Sequence, residues 1–176
     1  MPIPDMECVC VLCRPADARA AEPPWLSVLG DRLAAAVRDY GWTVVAAQGG
    51  EQQPAFAHTV GIHHTLRRPE LALLGLPVEV MHPLLNDVAS GIRDGAPTAD
   101  GTRVEGLLAG GLPLALKQVD AGWYPVLFGS VLHFHRTAVP VLQVVWTDPA
   151  GLFPWDEGFA PKWLAEQPRL WIPPGR

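Results

Sequence analysis

The sequence is poor in charged residues, which make up 18% of its 176 residues, and the net charge is −5. Because proteins that bind nucleic acids neutralise phosphates with a basic surface, DNA and RNA are not expected partners. Long apolar runs are also missing, since the longest, residues 107–116, is broken by two glycines and a proline. It falls short of the roughly 20 apolar residues that cross a bilayer, so no membrane partner is predicted.

The sequence also lacks the motifs that identify several large enzyme classes. It contains no glycine-rich phosphate loop, no Gly-x-Ser-x-Gly nucleophile turn and no His-Glu-x-x-His metal pair. Residues 106–111 are rich in glycine, but they have neither the spacing nor the helix start that a nucleotide loop requires. The enzyme classes that these motifs define are therefore not expected.

Cysteine is scarce, with only three residues in the chain. The N-terminal sequence MPIPDMEC carries acidic residues and no basic region, so it does not have the pattern of a secretory signal. We therefore expect the protein in the cytoplasm, where thiols remain reduced.

Hydrophobic residues are abundant, at 49%, and 19 prolines and 17 glycines are spread along the chain. This composition predicts one folded domain of short elements separated by frequent turns. Residues 1–22 are expected to form an irregular arm that carries the cysteines, and residues 23–160 a single α+β domain. Residues 161–176, rich in tryptophan and proline, are expected to wrap around that domain as a tail.

Hydrophobic periodicity predicts three helices, located between Pro23 and Gly41, over 78–92 and over 124–132. Six segments have the character of strands: 42–47, 55–61, 71–75, 104–108, 113–119 and 139–146. The unbroken apolar run 71–75 predicts a strand buried on both faces. Glycines 110 and 111 predict a hairpin between the fourth and fifth strands. The fold class is therefore α+β, with a mixed or largely antiparallel sheet of about six strands and one layer of three helices packed on it.

The three cysteines form a C-x-C-x-x-C motif at Cys8, Cys10 and Cys13. Thiolates this close can share a soft metal ion such as zinc, with a histidine completing a tetrahedral site. A structural zinc site usually shows two separated ligand pairs, and here the second pair is missing. Two alternatives remain open: a redox C-x-x-C pair, or reduced thiols on an irregular arm.

The segment 56–76 concentrates the other titratable groups between two apolar runs, with three histidines, two arginines and Glu70. If residues 62–69 form a loop, His63 and His64 can converge on an anion, a metal or a reacting proton, and Glu70 can orient one of them. Alternatively, the histidines cap strand ends and Glu70 pairs with Arg67 or Arg68. The candidate ligand-binding residues are His63, His64, Arg67, Glu70, Asn86, Gln143 and Trp146.

Two further histidines, His133 and His135, follow the third predicted helix. Continuing that helix places them about 200° apart, which does not suit a metal pair. We therefore expect both to face solvent.

Five blocks of sequence occur in a characteristic order: GWTVVAA (41–47), FAHTVGIHH (56–64), RPELALLGLP (68–77), LLND (84–87) and VLQVVWTDPAGLFPWDEGF (141–159). With them the chain resembles the bacterial family of the domain of unknown function 4262, over nearly its whole length. The resemblance also implies N-terminal cysteines, but it implies no activity, cofactor or catalytic residue.

The residues favour an accessory module that binds a small ligand or a protein partner through residues 58–70. One alternative is a metal-dependent or acid–base enzyme that uses His63, His64 and Glu70. The other alternative is a metal- or redox-responsive protein that acts through the cysteines. The sequence leaves open whether the protein is an enzyme.

Overall fold

The computed structural model of the protein describes residues 8–14, 23–51 and 53–175. Most of the arm predicted over residues 1–22 lies outside these ranges. The described residues contain six strands: β1 Thr43–Ala47, β2 Phe56–Val60, β3 Glu70–Leu74, β4 Arg103–Val104, β5 Leu114–Gln118 and β6 Val141–Trp146. They also contain six α-helices: α1 Pro24–Tyr40, α2 Ile62–Leu66, α3 Val78–Arg93, α4 Tyr124–Leu127, α5 Gly129–His135 and α6 Trp163–Glu166.

The six strands form one mixed sheet in the order β1-β2-β3-β6-β5-β4. Strands β1, β2 and β3 are successively antiparallel, β3 and β6 are parallel, and β5 pairs antiparallel with both β6 and β4. The predicted α+β class, the six strands and the hairpin β4–β5 are therefore confirmed. None of the described helices combines the length and the apolar character that crossing a bilayer requires.

The prediction of three helices is wrong, because the described residues contain six. Helices α2 and α6 have only five and four residues, too few for a helical period to appear in the sequence. The segment predicted as one helix over 124–132 contains two, α4 and α5, which Phe128 separates with non-helical angles of φ −114° and ψ 34°.

The helices cover both faces of the sheet, so the predicted single layer is also wrong. Leu71 and Leu73 of β3 pack in one core with helix α3, whereas Ala72 and Leu74 pack in a second core with α1, α4 and α5. Neighbouring residues of a strand point to opposite faces, and all five residues of β3 are buried. The two-sided burial predicted for this strand is confirmed.

Helix α1 shows how the sequence defines these boundaries. Its first residue is Pro24, whose fixed φ suits a first helical position, and Gly41 ends the helix with φ 89°. The Gly41 amide donates to the carbonyl of Val37, and buried Leu33 and Val37 face the core. In helix α3, Pro83 lies inside the helix rather than in its first turn, which begins at Val78.

The C-terminal segment packs against β6 through directed hydrogen bonds. The buried Gln143 side chain donates to the carbonyl of Pro168 at 2.8 Å and accepts from the amide of Leu170 at 2.9 Å. The side chain of Gln167 bonds in the same way to both backbone groups of Trp146. These contacts satisfy buried polar groups that would otherwise be costly.

Candidate metal centre

The three cysteines and one histidine of helix α2 converge on a single point. The Sγ atoms of Cys8, Cys10 and Cys13 lie 3.7, 3.3 and 3.7 Å from Nδ1 of His64. All four atoms lie within 4.8 Å of one another. The pairings span 51 to 56 residues of sequence, so the fold rather than local chain geometry brings them together.

The spacing of these atoms fits a tetrahedral zinc site. Zinc–sulfur bonds of about 2.3 Å and zinc–nitrogen bonds of about 2.0–2.1 Å place the sulfur and nitrogen atoms of a tetrahedron about 3.5 Å apart. The three observed separations lie on either side of this value. Three cysteine thiolates and one histidine imidazole form one of the donor sets that structural zinc sites use.

The cysteines lie on a tight turn that docks on the C-terminal end of helix α5. The amides of Cys13 and Arg14 donate to the carbonyl of Cys10, which closes the turn. The Val11 amide donates to the Phe134 carbonyl at 2.9 Å, and the Arg136 guanidinium donates to carbonyls of Arg14 and Val9. Cys10 is fully buried, whereas Cys13 is exposed. The turn therefore presents its sulfur atoms at the edge of the core.

Helix α2 occupies part of the segment that we predicted to be a loop, and it presents His64. The residue before it, Gly61, has φ 113°. A Cβ atom at this position would lie 2.6 Å from Val37 Cγ2 and 2.9 Å from the Gly41 carbonyl oxygen, so only glycine fits here. Arg67 ends the helix with φ 55°. The short helix is thus held between helix α1 and the start of β3.

Burial and hydrogen bonding divide the three thiols into different protonation states. Burial raises the pKa of Cys10 to about 12 and also raises the pKa of Cys13. Burial acts on Cys8 in the same direction, but hydrogen bonds with His64 and Cys10 outweigh it and lower the pKa of Cys8 to about 6. Without a cation, one thiolate therefore forms readily, and two more so close to it are disfavoured. A bound divalent cation would reverse this balance.

Glu70 lies behind α2 and is fully buried. Its Oε1 accepts from the amides of Gly61 and His63, at 2.9 and 3.0 Å, and from Nε2 of His135 at 2.8 Å. Its Oε2 accepts from the Thr59 hydroxyl at 2.6 Å. Burial alone would raise the pKa of Glu70, but the hydrogen bond and charge of His135, with the other donors, lower it. The partner of Glu70 is thus His135 rather than either arginine.

The prediction that His135 faces solvent is wrong, because its side chain is 2% exposed. No local sequence signal identifies this contact, since Glu70 is 65 residues away. A second buried histidine, His58, forms a 2.6 Å hydrogen bond between Nε2 and the Ser130 hydroxyl. Burial lowers the pKa of His58 to about 4, so this ring is neutral at physiological pH.

The other candidate ligand-binding residues lie in separate places. The ring of His63 packs edge-on to that of His135, with the ring centroids 5.7 Å apart, and His63 is not among the four possible ligands. Asn86 accepts from Nε1 of Trp42, and Gln143 holds the C-terminal segment. Trp146 lies at the far end of β6 from Glu70, where its Nε1 donates to the Leu74 carbonyl. Of the ligand-binding candidates, only His64 contributes an atom to the group of four possible metal ligands. Arg67 acts on this group through its charge, which opposes the rise that burial causes in the pKa of Cys13.

The described surface also has an open depression of about 420 Å³. It is lined by Asp100 before β4, by Lys117 and Gln118 of β5, by residues 119–121 of the turn that follows, and by Trp171 of the C-terminal segment. None of the predicted ligand-binding residues lines it.

The fold and the cluster together define an α+β domain with a candidate metal centre of three cysteines and one histidine. The chain belongs to the family of the domain of unknown function DUF4262, whose sequence profile matches residues 36–160. The matched range includes His64 and begins after the three cysteines. Neither a curated protein nor a solved structure matches the chain.

Proposed function

We propose that this protein binds one zinc ion through Cys8, Cys10, Cys13 and His64, and that the ion fastens residues 8–14 to helices α2 and α5. The observation that supports this most strongly is the approach of four ligand atoms from distant parts of the chain to within 4.8 Å of one another. The three sulfur–nitrogen separations match the corresponding edges of a zinc tetrahedron.

The donor set favours a structural or metal-responsive role over a catalytic one. Catalytic zinc sites keep a coordination position open for water or substrate, whereas four protein ligands close the site. The protein is then of the metal-responsive kind, in which the cysteine segment is the functional part. A cytoplasmic location suits this role, because a reducing compartment keeps the thiols available to the metal.

We expect the protein, purified without oxygen and without chelators, to contain one zinc per chain by elemental analysis. His64→Ala removes the nitrogen ligand and is expected to lower the zinc content below half. The adjacent His63→Ala is the matched control, because its ring lies against His135 rather than the cysteines.

Two outcomes would contradict the proposal. One is wild-type protein that neither contains zinc nor takes up added zinc or cobalt while its thiols are reduced. The other is equal loss of zinc from His63→Ala and His64→Ala, because that result would show a general effect of disturbing α2.

Zinc binding at pH 7.5 is expected to release about two protons from the three thiols. Cys10 and Cys13 have raised pKa values and are neutral at this pH, whereas Cys8, with a pKa of about 6, is already a thiolate. Protons compete with zinc for the sulfur atoms, so the apparent affinity rises with pH. Calorimetric titration in buffers of different ionisation enthalpy measures the number of protons released per zinc ion. Release of three protons or of none would contradict this prediction.

A further inference from the structure

We propose that Glu70 and His135 are positioning residues for the zinc site, and that their buried pair holds His64 over the cysteine turn. This inference rests on the proposed zinc binding. It gives two residues that do not bind the metal themselves a role in positioning those that do. Both side chains are almost fully buried, at 0% and 2% exposure, and their oxygen and nitrogen atoms lie 2.8 Å apart.

On one side, the pair fixes helix α2. A helix of five residues is too short to be stable by itself, and no side chain caps it at Gly61. Glu70 supplies the missing cap from the neighbouring strand, since its Oε1 accepts from the amides of Gly61 and His63. The second of these amides belongs to the residue directly before His64. The carboxylate therefore sets the position of the turn that presents the nitrogen ligand.

On the other side, the pair fixes the end of helix α5, on which the cysteine turn docks. His135 lies between Phe134, whose carbonyl accepts from the Val11 amide, and Arg136, whose guanidinium donates to the Val9 carbonyl. The Phe134 ring also packs edge-on to His64, with the ring centroids 6.4 Å apart. One buried hydrogen bond, between Glu70 and His135, thus joins the element that carries the histidine ligand to the element that receives the cysteines.

The Glu70–His135 contact contributes precise positioning rather than net stability. A buried polar pair often stabilises a fold no better than apolar residues of similar volume would, but its hydrogen bond is directional. A metal site needs its ligands held to within about 0.5 Å, and the residues that support ligands typically change metal affinity by about 10–100-fold when replaced. Glu70 contacts the helix that carries His64, and His135 lies at the end of α5 on which the cysteine turn docks. The two residues can therefore influence the positions of both sets of ligands.

The test compares Glu70→Gln with Asp148→Asn in the full-length protein. Asp148 is also a buried carboxylate that accepts backbone amides, those of Ala150, Leu152 and Ala160, but it lies outside the cluster and its supports. Both substitutions remove a charge and keep the shape. Zinc affinity is measured by competition with a chromophoric chelator, and ligand geometry by the absorption spectrum of the cobalt-loaded protein.

Glu70→Gln is expected to weaken zinc binding about tenfold or more and to change the cobalt spectrum. Asp148→Asn, with a similar loss of thermal stability, should keep a zinc affinity within twofold of wild type and an unchanged cobalt spectrum. Wild-type affinity and an unchanged spectrum in Glu70→Gln would overturn the inference. If Glu70→Gln does not fold, His135→Gln, which keeps an amide donor for the carboxylate, is measured in its place and is judged by the same outcomes.

A metal-free measurement separates this inference from the proposed function. The Thr65 amide, bonded to the Gly61 carbonyl, reports the order of α2 through hydrogen exchange without any metal. If wild-type protein binds no zinc, the proposed function fails. The positioning of His64 is then decided by exchange: faster exchange at Thr65 in Glu70→Gln supports it, and an unchanged rate overturns it.

Discussion

Cys10→Ser is expected to weaken zinc binding by about a hundred- to a thousandfold and also to destabilise the metal-free protein. Structural zinc sites bind with about 10–16 kcal/mol, so an equal share for one of four ligands is about 2.5–4 kcal/mol. Each 1.4 kcal/mol corresponds to about tenfold in affinity. Cys10 is also fully buried in the core beneath α5, where a serine hydroxyl would be poorly solvated.

Cys13→Ser is the matched variant, because Cys13 is exposed and lies on the same turn. It should lose zinc affinity to a similar degree while the metal-free protein keeps its thermal midpoint. Chelator competition and thermal unfolding of both variants, with and without zinc, measure the two effects separately. Cys10→Ser protein with the zinc affinity of wild type would exclude Cys10 as a ligand.

His135→Leu is expected to reduce the free energy of unfolding of the metal-free protein by about 3–5 kcal/mol. The substitution removes the His135 donor from the fully buried Glu70 carboxylate and leaves it with the Thr59 hydroxyl and two backbone amides. Taking one partner away from a buried charge is among the more destabilising single changes. Urea unfolding at pH 7 measures the loss. The double variant Glu70→Gln with His135→Leu should lose less than the sum of the two single variants, because no buried carboxylate then remains without its partner.

The same pair predicts a pH dependence whose sign can be derived. The folded-state pKa of Glu70 is lowered, so its contribution to stability is present above the ordinary carboxyl pKa and is lost as the pH falls through the lowered value. Removal of His135 raises the pKa of Glu70 towards its unfolded value. The acid-induced loss of stability should therefore be smaller in His135→Leu than in wild type, and a larger loss would contradict the assignment.

The strands were predictable because their signals are local. Alternating or unbroken apolar residues bounded by glycine and proline predicted the number of strands and the position of five of them, and the glycines at 110 and 111 predicted the β4–β5 hairpin. The fourth strand was predicted over 104–108, but β4 contains only Arg103 and Val104. The unbroken apolar run of β3 already indicated that a single layer of helices could not be right. A strand that is apolar on both faces needs a cover on both faces, and helices α1, α4 and α5 supply the second one.

The candidate site was predictable only in pieces. The cysteine spacing indicated a soft metal and one missing histidine, and His64 was among the candidates on other grounds. Their convergence depends on contacts across more than 50 residues, which no local pattern records. His135 was assigned to solvent because helical periodicity cannot show a partner in a distant strand. The buried carboxylate of Glu70 decides the position of both histidine-bearing helices.

The approach of Cys13 to His64 also has a topological consequence. These residues are 51 positions apart, and the chain between them contains α1, β1 and β2. A coordinated ion would close this stretch into a ring, and in the chain-entropy description a ring of this size restricts the unfolded ensemble by about 4 kcal/mol. Unlike a disulfide, such a ring opens by simple dissociation, so the entropy of a third of the molecule would vary with the concentration of free metal.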